Sequence, residues 1–105
     1  MNALLFAAVT LLAAVPSPGT SPAAVTVHIK DFAYVPASVT VTAGTTVRFV
    51  NDDNEAHTVT ANDKSFDSGG LDSRDTWTHR FASAGTFAYF CAIHPYMHGT
   101  VVVTK

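Results

Sequence analysis

Apolar residues recur at every second position through most of this chain, and turn residues break the pattern about every 8–12 positions. Val25, Val27 and Ile29 alternate with Thr26, His28 and Lys30. Val39 and Val41 follow Pro36, and Ala43-Gly44 turns the chain into residues 45–51, where Val47 and Phe49 point one way and Thr46, Arg48 and Val50 the other. Trp77, His79 and Phe81 share a face, Ser83-Ala84-Gly85 turns again, and Phe87, Tyr89 and Cys91 alternate with Thr86, Ala88 and Phe90. After Gly99, Val101 and Val103 alternate with Val102 and Thr104. A strand with one face buried needs this period, because successive side chains point to opposite faces. The spacing predicts six or seven strands in an antiparallel sandwich or barrel, with 62–74 a loop holding at most a short strand near Phe66.

With 105 residues, six Lys plus Arg and eight Asp plus Glu, the chain has room for one small domain and no basic stripe for a nucleic acid. Residues 1–15 carry no charge, and the apolar run within them is shorter than the ~20 residues a membrane-spanning helix needs. Residues 1–23 are therefore expected to be a secretory signal ending at the small-x-small site Ser21-Pro22-Ala23. The rival expectation is an uncleaved anchor followed by a short Pro/Ser/Gly linker, the one case in which a membrane would be a partner. Either one makes residues 24–105 a monomeric domain exported to the periplasm or secreted. At roughly 80 residues such a domain is only marginally stable alone, and a ligand bound to the native state would stabilise it.

Cys91 is the chain's single cysteine. Exported domains usually pair cysteines as disulfides, so an odd one points to a reactive thiol, an intermolecular bridge or a metal ligand. Here it opens the run Cys91-Ala92-Ile93-His94-Pro95-Tyr96-Met97, a thiolate, an imidazole and a thioether spaced C-x-x-H-x-x-M. A second imidazole, His57, follows the polar turn Asn51-Asp52-Asp53-Asn54. Two imidazoles, a thiolate and a weak axial thioether form the donor set that serves both oxidation states of copper moderately well. Taken singly, Cys91 would be a small inert hydrophobe and Met97 core filler; the spacing favours ligation. His98 competes with Met97, but neighbouring strand residues face opposite ways, and Met97 is the choice. His28 falls on the polar face with Thr26 and Lys30. His79 is expected to be a hydrogen-bonded histidine at the core's edge, and Asp52, Asp53 and Glu55 a solvated acidic loop that could steer a basic partner.

The stretch from Phe81 to Val103 resembles the cupredoxins and, within them, the amicyanins, whose copper loop has the same short gap as that between His94 and Met97. Val41-Thr42-Ala43-Gly44-Thr45-Thr46-Val47-Arg48-Phe49-Val50-Asn51 is similar to that family's V-x-x-G-x-x-V-x-F-x-N strand pair. The resemblance implies an all-β Greek-key β-sandwich of about seven to eight strands. It also implies one type 1 copper ion, cycling between Cu(I) and Cu(II), with His57, Cys91 and His94 as close ligands and Met97 axial. The family commonly has Asn after the first histidine, where this chain has Thr58. The Thr58 N–H can still donate to the Cys91 sulfur, while the Asn's side-chain bracing is lost or replaced by a hydroxyl contact.

Four protein ligands leave no open position for substrate, which favours outer-sphere transfer of single electrons over catalysis. His94 is the expected electron port, framed by Ala92, Ile93, Pro95 and Tyr96 as an apolar patch for redox protein partners. A copper carrier or buffer using the same residues is the alternative. A relative of multicopper oxidases or nitrite reductases would need further copper ligands, typically a histidine beside the copper cysteine, whose neighbours here are Phe90 and Ala92.

Overall fold

A computed structural model describes residues 25–105. The expected signal or anchor, residues 1–23, lies outside them. Eight strands follow in order: β1 (Val25–Lys30), β2 (Ala33–Val35), β3 (Ser38–Thr42), β4 (Thr45–Asn51), β5 (Thr60–Ala61), β6 (Thr76–Phe81), β7 (Gly85–Phe90) and β8 (His98–Thr104). They form two four-stranded sheets, ordered β2-β1-β4-β6 and β3-β8-β7-β5. The all-β sandwich is thus as the alternation and the resemblance implied.

The inward residues are those the period-2 pattern selects. Val27 and Ile29 of β1 and Val47 and Phe49 of β4 are fully buried, and Tyr89 of β7 with Val101 and Val103 of β8 meet them from the other sheet. Burying each such side chain contributes about 1.5–3 kcal/mol. Phe66 and Leu71 of the long β5–β6 segment also enter the core. Phe66 packs against Trp77, His79, Phe81 and Phe87, so this segment is not simply a surface loop.

Pairing direction departs from the antiparallel expectation. β1 runs parallel to β4, with Val27 opposite Phe49, and β3 runs parallel to β8, with Val41 opposite Val103. Alternation reports which face a residue occupies and is blind to strand direction. Each parallel pair is joined through strands placed elsewhere: β2 and β3 intervene between β1 and β4, and β4 to β7 between β3 and β8.

His79 also differs from its expected role. Its ring is stacked on Trp77 at 5.4 Å and packs against Phe66 and Phe81, each at 4.8 Å. Among the described residues it has aromatic neighbours instead of a hydrogen-bond partner, and its burial pushes its pKa below the ordinary histidine value.

Two features at one end of the sandwich place the candidate site. The first is Asn51, fully buried at the end of β4. Its side-chain amide donates to the carbonyls of Glu55 and Leu71 at 2.8 and 2.9 Å, and its side-chain oxygen accepts from the Asp53 amide at 2.9 Å. These bonds shape the loop that carries His57, which is then pinned by paired backbone bonds to Leu71. The second is the loop after β7, closed by the Cys91 N–H donating to the Met97 carbonyl at 3.2 Å and the Met97 N–H donating to the His94 carbonyl at 2.9 Å.

Candidate metal centre

Cys91, His94 and His57 converge although 34 residues separate Cys91 from His57. The Cys91 sulfur lies 3.8 Å from His57 Nδ1 and 3.7 Å from His94 Nδ1, and all three donor atoms fall within 4.8 Å of one another. Bonds of about 2.0–2.3 Å from imidazole and thiolate to one shared ion put such donors roughly 3.5–3.8 Å apart, so both sulfur–nitrogen spacings fit a shared ion. Cys91 and His57 are fully buried and His94 is half-buried. Met97 is buried in the same loop while His98, the first residue of β8, is exposed.

Thr58 meets the Cys91 sulfur as expected of its backbone. Its N–H donates to Sγ at 3.3 Å, and its hydroxyl oxygen accepts from the Ala92 N–H at 2.8 Å. The bracing an Asn would supply is therefore taken over by a hydroxyl. The Thr58 carbonyl in turn accepts from the Tyr34 hydroxyl. Burial pushes the Tyr34 phenol far above its ordinary pKa, with Cys91 and Tyr89 as lesser causes, which keeps it a neutral donor.

Two residues beside the donors were not picked out from the sequence. Asp53 is no solvated loop carboxylate: one of its oxygens accepts the His57 Nε2 proton at 2.8 Å. An ionised carboxylate can only accept, so the Nε2 end of the ring donates here, and Nδ1 is the nitrogen that faces Cys91. Burial alone would raise the Asp53 pKa, but the Phe32 and Asp31 amides and the His57 ring outweigh it and hold the carboxyl below its ordinary value. Phe32 stands over the histidines, its ring edge-on to His57 and to His94 with centroids 5.0 Å away in both cases. An acidic residue four positions before the candidate ligand His57 was the only local signal for Asp53; Phe32 left none. Asp52 instead contacts the exposed His28 at 2.7 Å, and Glu55 is exposed.

The family model for the cupredoxin-like domain matches residues 3–103. The chain belongs to the cupredoxin family. Copper is this family's cofactor, and the donor set here suits it, since thiolate and thioether favour Cu(I) and imidazole favours Cu(II). This cupredoxin is 33% identical over 85 residues to the amicyanin of Paracoccus versutus, an alignment that takes in 76% of this chain and 64% of that protein. Its fold is similar to a purple cupredoxin from Nitrosopumilus maritimus, with a TM-score of 0.72, 28% identity and coverage of 76% of this chain and 99% of that one. It also resembles a copper-containing nitrite reductase from Thermus scotoductus, with a TM-score of 0.77, 28% identity and coverage of 89% of this chain but only 25% of the enzyme.

Proposed function

We propose that this cupredoxin shuttles single electrons between redox proteins through one type 1 copper ion, with His57, Cys91 and His94 as close ligands and Met97 axial. The observation that carries the assignment is the convergence of the three donor atoms within 4.8 Å around a buried cysteine that accepts the Thr58 N–H. Bound copper supplies the one-electron chemistry. The protein's part is to hold a donor set acceptable to both oxidation states, so that little rearrangement accompanies transfer. Four protein donors leave no position for a substrate, which supports an electron carrier over an enzyme.

His94 is the proposed port. It is half-buried, and its neighbours Ala92, Ile93, Pro95 and Tyr96 are all exposed, Ile93 to 51% and Tyr96 to 67%. A small apolar contact around the ring would let a redox partner dock and leave quickly. The uncharged apolar start of the chain supports export to the periplasm or beyond, with membrane attachment only if residues 1–23 stay in place.

Voltammetry of the copper-loaded full chain, run beside competition for its copper by a Cu(I) chelator, tests this role. A reversible one-electron wave with copper retained in both states is expected. Ready loss of Cu(I) to the chelator would contradict the shuttle and favour a copper carrier that delivers its ion.

A further inference from the structure

The β1–β2 hairpin turns through Asp31 and Phe32 alone, because Lys30 pairs directly with Ala33. Both turn residues have left-handed backbone, with φ of 53° and 59°. A two-residue hairpin of this hand ordinarily takes Asn-Gly or Asp-Gly, and a phenylalanine there is held against its own steric preference. The restraint is visible. One Asp53 carboxylate oxygen accepts the Asp31 N–H at 2.7 Å, and the other accepts both the Phe32 N–H at 2.9 Å and the His57 Nε2–H at 2.8 Å. The same carboxylate thus grips the hairpin tip and the buried imidazole, across 21 and 22 residues of chain in one direction and four in the other.

We infer that Asp53 is a positioning residue for the copper centre, locking the His57 ring with Nδ1 toward Cys91 and seating Phe32 as a cap over the edges of both copper imidazoles. The proposal rests on the copper assignment above only for its redox consequence; the clamp itself is a property of the protein without metal. A negatively charged acceptor on Nε2 makes the imidazole a stronger donor, which favours Cu(II) over Cu(I). Phe32, 36% exposed, packs against both the buried His57 ring and the His94 ring through which an electron would leave. A glycine in its place would satisfy the turn and leave those ring edges open to water. Asp53→Asn retains the shape but offers one acceptor oxygen where three protons now converge, so the imidazole and the hairpin tip compete for it.

Two measurements on the full chain test this. In the metal-free protein, NMR should show a slowly exchanging His57 Nε2–H, protected Asp31 and Phe32 amides, and ring contacts from Phe32 to His57 and His94. In Asp53→Asn these should weaken together, whereas Phe32→Ala should leave the Nε2–H in place. In the copper form, Asp53→Asn should lower Cu(II) affinity about tenfold relative to Cu(I), a rise in potential of ~59 mV for one electron. An Asp53→Asn protein with its Phe32 ring contacts intact and its potential unchanged would overturn the proposal. Should that variant not fold, the wild-type protein decides: free exchange of the two amides and the Nε2–H overturns the clamp, and their protection supports it. A wild-type protein that shows the clamp but takes no copper refutes the copper assignment and leaves the clamp standing.

Discussion

The Thr58 amide donates to the Cys91 sulfur at 3.3 Å, joining the β4–β5 connection to the loop after β7 across 33 residues of chain. A bond from an amide stabilises a thiolate and moderates its donation to a metal. Thr58 secures the same loop a second time, through the hydroxyl that accepts the Ala92 N–H. Thr58→Val keeps the shape and the amide bond but leaves the Ala92 amide without its acceptor. Urea unfolding of the metal-free variant should show a loss of about 1–2 kcal/mol, while the copper form keeps its thiolate absorption. Unchanged stability would show that the hydroxyl does not brace the loop.

Gly99 stands opposite Tyr89 in the β7–β8 ladder, and a Cβ on Gly99 would overlap the tyrosine ring and hydroxyl. Tyr89 cannot easily withdraw, because Tyr34 and Phe49 pack against it at 4.7 and 5.5 Å. Gly99→Ala should therefore cost about 1–3 kcal/mol from overpacking, seen as a lower urea midpoint with the same slope. A midpoint equal to wild type would mean that the ring has room to move.

Phe66 is 6% exposed and joins the β5–β6 segment to the aromatic cluster of β6 and β7. Phe66→Ala should lose about 3–5 kcal/mol, the transfer and cavity cost of a buried ring. A change below about 1 kcal/mol in urea unfolding would place this segment outside the cooperative core.

Burial holds the His79 pKa below its unfolded value of about 6.5. As pH falls from about 6.5 toward the lower folded-state value, the unfolded chain takes up this proton before the native one, and stability drops. Above about pH 6.5 both states hold the ring neutral, so His79 adds no pH dependence there. Asp53 acts in the same sense in a separate window: with its folded pKa below 3.8, its contribution is present above that value and lost as pH falls further. In the metal-free protein, His79→Gln should flatten the part of the stability profile that lies just below about pH 6.5. An identical slope in both proteins would contradict the burial of this ring.

Strand faces were legible in the sequence because alternate burial is local: Val27, Ile29, Val47, Phe49, Val101 and Val103 all face inward as the pattern required. Parallel pairing of β1 with β4 was not, since it depends on where the intervening strands go. β2 was missed because it has three residues and follows a turn with no glycine. Phe66 and Leu71 were hidden in a stretch of polar and turn residues. Cys91, His94 and Met97 lie on one short loop, and their spacing alone marked them as candidate donors. The role of Asp53 depends on a hairpin more than 20 residues away, and no local pattern encodes such a contact.

The most direct test is the visible absorption and electron paramagnetic resonance of the full chain after one equivalent of Cu(II), with Cys91→Ser alongside. An intense blue band and a narrow copper hyperfine splitting, both lost in the variant, are expected of a thiolate-bound type 1 ion. A pale, weakly held copper signal that is the same with and without the Cys91 sulfur would contradict the assignment.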